Sequence, residues 1–222
     1  MPRHFEIELD QLRTSIIKMG SLVDEQIDLA TAALIESNPE RARLVIERDR
    51  KVDEFDNLID SHCERIFALT QPVAMDLRLI MAALKINHEL ERMGDIAVNI
   101  AERAIPLQYH IGLLRKSRVI EMSSIAREMV KRAIDSFVNN DPELAREILP
   151  KDDLVDNLNR DIFNYLVQEM KMDPEIIEPA AHIIVLSRHL ERLADHATNI
   201  SEDVVYLVDA KIVKHHAEQS EQ

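Results

Sequence analysis

Apolar side chains recur along this chain with the spacing of helices. From Phe5 to Glu36 they return every three or four residues, at Leu9, Leu12, Ile16, Met19, Val23, Ile27, Ala30 and Leu34. Asn38 and Asp141 each precede a proline, the pattern of an N-cap followed by the first helical residue. Together with later breaks, these signals predict six long helices at about 5–36, 39–69, from beyond residue 72 to 105, 113–139, 142–170 and 174–213.

The second half of the chain repeats the first. The segment HELERMGDIAVNIAE at 88–102 returns as RHLERLADHATNISE at 188–202, one hundred positions later. The segment from Ser37 to Asp56 matches 140–159 at an offset of 103, so the second half loses three residues in the loop between its second and third helices. We therefore predict an all-α tandem repeat of two elongated antiparallel three-helix bundles, over 1–107 and 108–213, with a frayed polar tail at 214–222.

Polar side chains form acidic stripes on these helices. At about 100° per residue, the third helix carries one stripe within an arc of roughly 80°, nearly opposite its apolar face: Glu91, Asp95, Asn99 and Glu102. The second helix carries another, at Asp49, Asp53, Asp56 and Asp60. Neighbouring antiparallel helices could bring both stripes to the rims of one outward-facing groove. Because like charges at this spacing repel, a bound cation would relieve the repulsion.

The second half offers an equivalent set with fewer acids. Its members are Asp152, Asp156, Glu191, Asp195, Asn199 and Glu202, whereas Asn159 and Phe163 replace Asp56 and Asp60. Oxygen ligands without thiolates favour Mg²⁺, Mn²⁺, Ca²⁺ or iron over zinc. We expect iron, Mn²⁺ or Mg²⁺ at the sites, with Ca²⁺ or Zn²⁺ as occupants in crystals. The first site, which also has His88 nearby, should bind metal more strongly.

A simpler interpretation is that such stripes are solvated helix faces; the repetition of both motifs favours a metal site. Arg92 and Arg192 follow the repeated glutamates, and we expect ion pairs with a neighbouring helix more than anion contacts. His182, His189 and His196 share one side of the sixth helix near its apolar face, which indicates a polar rim or a contact between repeats.

Composition narrows the possible functions. A net charge of −14 argues against nucleic-acid binding, which depends on Lys and Arg. The single cysteine, Cys63, cannot form an internal disulfide, and we expect it to be buried or half-buried and unreactive. No signal peptide or membrane span is recognisable, so we expect a soluble cytoplasmic protein.

The motifs ERMGD and ERLAD, the segment QPVAMDLR and the DxxxD pairs resemble the PhoU family of phosphate-transport accessory proteins over essentially the whole chain. The resemblance implies two three-helix bundles with surface metal sites at Asp49, Asp53, Glu91 and Asp95 and at Asp152, Asp156, Glu191 and Asp195. It also implies a homodimeric negative regulator of the phosphate-starvation response that links the ATPase subunit of a phosphate ABC transporter to a sensor histidine kinase. Two departures from the family are Ala194, in place of the usual glycine, and Glu178, in place of a second Arg78.

Three hypotheses therefore stand at this stage. The first is a regulatory adaptor without catalytic activity, in which Arg78, Arg92 and Arg192 are candidates for contacts with an anion or a partner. The second is a metal-dependent phosphoester hydrolase that uses the same carboxylates. The third is a helical scaffold whose acidic residues serve solubility alone.

Overall fold

The computed structural model describes residues 2–73 and 75–210, and every regular element in them is helical. The helices are α1 (Pro2–Glu36), α2 (Pro39–Arg48), α3 (Arg50–Leu69), α4 (Met75–Leu107), α5 (Ile111–Lys116), α6 (Val119–Asn139), α7 (Pro142–Arg146), α8 (Leu149–Met172) and α9 (Ile177–Asp209), with a 3₁₀ turn at Pro174–Ile176. The predicted tail at 214–222 lies outside the described residues. The all-α prediction is confirmed.

Both predicted N-caps form. The Asn38 side chain accepts hydrogen bonds from the backbone N–H groups of Glu40 and Arg41, and Asp141 does the same one repeat later for Glu143 and Leu144. These contacts satisfy backbone donors that have no partner inside the helix. They fix where the second helix of each repeat begins.

The helices predicted to be continuous over 39–69, 113–139 and 142–170 are each interrupted, which the sequence analysis missed. The helix predicted over 113–139 breaks at Ser117 and Arg118. In the helix predicted over 142–170 the break lies at Glu147 and Ile148, just before Pro150. A proline there lacks an N–H and crowds the carbonyl four residues earlier, which disfavours a continuous helix at this point. In the first repeat the break lies at Asp49, without a proline. The third helix was predicted to end at residue 105, but α4 continues through Pro106 to Leu107.

The two repeats share one continuous hydrophobic core. In the first repeat α1 packs against α2, α3 and α4, and in the second α6 packs against α7, α8 and α9. The repeats join where α4 packs along α9 and α1 packs along α6. The bundles therefore lie side by side. Burial raises the pKa of the Cys63 thiol to about 12, as expected for an unreactive cysteine.

The histidines of α9 lie at the contact between repeats. The Nδ1 atom of His196 is 2.5 Å from a carboxylate oxygen of Glu89 on α4. The guanidinium of Arg103, also on α4, lies 3.2 Å from Nδ1 of His182. The prediction of an inter-repeat contact is confirmed for these two histidines. None of the helices in the described ranges could span a membrane.

Candidate metal sites

The first repeat brings its two acidic stripes together. Because α3 and α4 run antiparallel, Asp49 lies near enough to Asp53 and Asp95 for their charges to interact. One to two turns further along, Glu91 interacts in the same way with Asp56 and with Asp95. Carboxylates from both helices therefore lie close together.

These carboxylates are difficult to ionise together. Burial, followed by the charges of Asp53 and Asp95, raises the pKa of Asp49 above its ordinary value. Burial and the charge of Asp60 raise the pKa of Asp56, against a smaller opposing effect of His88. A bound cation would stabilise the ionised forms of these groups.

Glu91 is the most incompletely satisfied acid of the site. Burial, and then the charge of Asp95, raises its pKa, while Arg92 and His88 lower it. Its Oε2 atom is buried and accepts no hydrogen bond from any residue that the structure describes. The nearest cation is the Nε of Arg92, 3.5 Å away. A buried carboxylate oxygen without a donor is an atom that a metal ion could satisfy.

Asn87 belongs to this site and was missed in the sequence analysis. It is buried, and its Nδ2 donates to Oδ1 of Asp56 at 2.8 Å and to Oδ1 of Asp60 at 3.0 Å. This amide holds two acids of α3 against α4. The signal was its position four residues before Glu91, which places it on the same helix face as the acidic stripe.

The second repeat gathers a smaller set of acids. Asp156, Glu191 and Asp195 lie close enough for their charges to interact, and burial raises the pKa of Glu191 and of Asp195. Asp152, the counterpart of Asp49, is more deeply buried, with 6% of its surface exposed.

This second cluster already carries its own cation. The Nη1 atom of Arg188 lies 2.6 Å from Oε2 of Glu191, at the position that His88 occupies in the first repeat. The hydrogen bond that Asn87 makes in the first repeat has a different counterpart here. Ser187, at the equivalent position, donates its hydroxyl to Oδ1 of Asn159 at 2.8 Å. Protein groups thus partly neutralise the second site.

The outer members of both stripes turn away from the clusters. Asn99 donates to the backbone carbonyl of Asp95 at 2.8 Å. Asn199 reaches across to Glu89 at 3.2 Å. The charge of Glu102 acts on His189, and that of Glu202 acts on Lys85 and Asp203. Asn199, Glu102 and Glu202 therefore lie towards the contact between the repeats, whereas the Asn99 amide is bound by its own helix.

The candidate arginines differ in their surroundings. Arg92 pairs with Glu91 on its own helix, so the ion pair predicted with a neighbouring helix is not the contact that forms. Arg192 is exposed, and its charge lowers the pKa of Asp195 and of His189. Arg78 is half-buried, and its Nε has no hydrogen-bond partner within residues 2–73 and 75–210.

Metal binding at either cluster requires side-chain movement. Within the described parts of the chain, no three His, Cys, Asp or Glu side chains are already grouped as metal ligands. The available ligand atoms are nevertheless hard carboxylate oxygens, and the pKa values of Asp49, Asp56, Glu91, Glu191 and Asp195 are raised. Oε2 of Glu91 accepts no hydrogen bond within the described residues. This chemistry is compatible with Mg²⁺, Mn²⁺, Ca²⁺ or iron.

Comparison with known proteins gives one consistent answer. The family model described as the PhoU domain matches the chain twice, over residues 16–104 and 119–204. A phosphate-specific transport system accessory protein PhoU homolog from Aquifex aeolicus is 44% identical, with 94% of each chain covered. One from Pseudomonas putida is 38% identical over 96% of this chain and 84% of its own length.

Solved structures agree with the sequence relatives. The crystal structure of PhoU from Pseudomonas aeruginosa has a TM-score of 0.87 at 37% identity, and the alignment covers 93% of this chain and all of that one. The phosphate transport system regulatory protein PhoU from Streptococcus pneumoniae has a TM-score of 0.85 at 29% identity, with 95% and 99% covered. These similarities extend over both repeats.

Proposed function

Because the chain belongs to the PhoU family, we propose that it is a regulatory accessory protein of phosphate transport, without an enzymatic activity of its own. The observation that supports this role is the near-complete coverage of relatives named as accessory proteins of the phosphate-specific transport system. The two family-model matches, one in each repeat, support it further.

In this proposal the protein acts in the cytoplasm as a homodimeric adaptor. It contacts the ATPase subunit of a phosphate ABC transporter and a sensor histidine kinase, and it restrains the kinase when phosphate is plentiful. Metal ions held by Asp49, Asp53, Glu91 and Asp95, and by Asp156, Glu191 and Asp195 with Asp152 nearby, would neutralise the acidic faces. A bound cation would supply the positive charge that lets these carboxylates ionise together.

The adaptor role can be tested in a strain that lacks the gene and carries a reporter for phosphate-starvation genes. We expect the reporter to be active in rich phosphate and the wild-type chain to silence it. Co-purification of the transporter's ATPase subunit or of the kinase with the chain would identify the contact. Normal repression in the deletion strain would contradict the proposal.

A metal-dependent phosphoester hydrolase is the second candidate, because carboxyl groups with raised pKa values can accept protons in a reaction. The discriminating experiment incubates the purified chain with phosphoesters and Mn²⁺ or Mg²⁺. Turnover that disappears in Glu91→Ala and Asp95→Ala would favour the hydrolase. Absence of turnover in a preparation that restores repression supports the adaptor.

A further inference from the structure

The contact between α4 and α9 has two ends that the internal repeat relates to each other. The helices run antiparallel, and a residue on α4 corresponds to the residue one hundred positions later on α9. We call the first the Lys85 end, formed by Lys85, Glu89, His196, Asn199 and Asp203. We call the second the Arg103 end, formed by Glu102, Arg103, His182, His189 and Arg192.

At the Lys85 end the charged groups are paired. The Nζ atom of Lys85 lies 2.6 Å from Oδ1 of Asp203, a carboxylate that is buried against α4. The carboxylate of Glu89 lies 2.5 Å from Nδ1 of His196 and accepts a hydrogen bond from the amide of Asn199 at 3.2 Å. Each of the two carboxylates therefore faces a cation or a donor from the opposite helix.

The Arg103 end reverses this arrangement of charge. Arg103 occupies the position that corresponds to Asp203, His189 the position of Glu89, and Val185 the position of Lys85. Both carboxylates that neutralise the Lys85 end are thus replaced by basic side chains. The carboxylate whose charge acts on His189 is that of Glu102, which is exposed.

Two polar atoms at the Arg103 end are buried without a partner. Arg103 is half-buried and donates through Nη1 to Nδ1 of His182 at 3.2 Å. Its Nε, and Nδ1 of His189, have no hydrogen-bond partner in the part of the chain that the structure describes. Unpaired polar atoms in a buried position cost free energy, and those of a charged group cost the most.

The side chains gathered at this end are mainly basic. The guanidinium groups of Arg103 and Arg192 lie near enough to His189 for their charges to act on it, and the carboxylate of Glu102 opposes them. An anion placed here would pair with the guanidinium groups and accept a hydrogen bond from Nε of Arg103. The basic groups at the Lys85 end need no added anion, because Asp203 and Glu89 already pair with them.

We propose that the Arg103 end of the α4–α9 contact binds a small phosphate-type oxyanion, either free or as the phosphoryl group of a small molecule. Guanidinium and imidazole N–H groups are donors that suit an oxyanion. Arg103 and His189 provide the main contacts, and Arg192 lies at the rim. This site uses neither carboxylate cluster and does not depend on the proposed adaptor function.

The test titrates the purified full chain with inorganic phosphate or ADP by isothermal calorimetry, in EDTA. The chelator removes metal, so phosphate held through the carboxylate clusters does not contribute. We expect a dissociation constant of about 1 mM or lower for at least one ligand. Tighter binding of inorganic phosphate identifies the free ion, and tighter binding of ADP identifies a phosphoryl group. Absence of binding of both, up to about 10 mM, overturns the proposal.

Substitutions locate the site. Arg103→Met should weaken binding by roughly tenfold or more, whereas Lys85→Met, at the corresponding end of the same contact, should leave it unchanged. Glu102→Gln should strengthen binding a few-fold, because it removes the competing carboxylate. If Arg103→Met does not fold by circular dichroism, Glu102→Gln decides. Equal binding by folded Arg103→Met and wild type, or no gain in Glu102→Gln, contradicts the proposal.

Discussion

The two acidic clusters arise from the same motif but neutralise their charge differently. In the first repeat, Asn87 holds Asp56 and Asp60 together, and His88 lies near Glu91. In the second, Asn159 and Phe163 replace the two aspartates, and Arg188 pairs directly with Glu191. In the first cluster the cation nearest to Glu91 is Arg92 at 3.5 Å, whereas in the second Arg188 contacts Glu191 at 2.6 Å.

This difference shows that a repeated motif need not mean a repeated site. Two differences between the repeats go together: Ser187 stands where the first repeat has Asn87, and Asn159 stands where it has Asp56. The hydrogen bond between the two helices is kept, because Ser187 donates to Asn159. The second repeat keeps the packing between its helices while it lowers the local acid content. We therefore expect the two clusters to bind metal with different affinities.

The largest expected effect is on metal affinity. The paired substitution Glu91→Gln with Asp95→Asn should weaken the stronger class of Mn²⁺ binding by roughly 100-fold, because it removes two charged ligands. The matched control, Glu191→Gln with Asp195→Asn, should affect only the weaker class. Electron paramagnetic resonance titration of Mn²⁺ measures both classes. Equal losses in the two variants would contradict the difference between the clusters.

Exchanging the residue at the edge of each cluster should reduce the difference. Arg188→His releases Glu191 from its guanidinium and should strengthen Mn²⁺ binding at the second cluster about tenfold, or roughly 1.4 kcal/mol. The reciprocal His88→Arg should weaken the first cluster by a similar factor. The same titration reads both variants. If neither variant changes the Mn²⁺ affinity of its cluster, the residues at positions 88 and 188 do not cause the difference between the clusters.

The acids of the first cluster should contribute to the pH dependence of stability. The folded state raises the pKa values of Asp49, Asp56 and Glu91, so it binds more protons than the unfolded chain between the unfolded and folded values. Their contribution is favourable below the unfolded pKa and is lost as pH rises through the folded pKa.

Metal-free protein should therefore melt at a higher temperature near pH 5 than near pH 7, as measured by calorimetry in EDTA. Glu91→Gln should flatten this dependence and raise the pH 7 melting temperature by about 2 °C. Excess Mn²⁺ should remove much of the difference between wild type and variant. A wild-type melting temperature that rises from pH 5 to pH 7 in EDTA would contradict the assignment.

The smallest expected effect concerns the glycine of the motif. A Cβ at Gly94 would lie 3.2 Å from a methyl group of Val52 and 3.5 Å from Oε1 of Gln26. Gly94→Ala should thus lose about 1 kcal/mol to crowding and regain a similar amount in helix propensity. Ala194→Gly should simply lose about 1 kcal/mol. Urea unfolding compares them, and a clearly destabilised Gly94→Ala with a neutral Ala194→Gly would reverse the expectation.

Much of the fold could be predicted because its signals are local. Asn38 and Asp141 are followed by prolines, and the apolar spacing between such boundaries is helical. The break before Pro150 could also have been predicted from that proline. The break at Asp49 could not, because no proline or glycine marks it and it depends on how α2 and α3 pack.

The acidic clusters were predictable to the level of helix faces. Antiparallel neighbours bring stripes of the same phase together, as they do for Asp49 and Asp95. Two features could not be predicted from the periodicity of a single helix, because they depend on contacts between helices. Asn87 donates to Asp56 on the neighbouring helix, and Asn199 bonds to Glu89 instead of facing the acidic cluster.

The packing of α4 along α9 also bears on how such a chain could have originated. A single repeat would leave the α4 face uncovered, and a second copy of the same repeat presents the equivalent helix to cover it. Duplication of a gene for a one-repeat protein would therefore fuse an existing homodimer into one chain. In such a fused chain each half would be free to diverge, which would account for the different charges at the two ends of the contact.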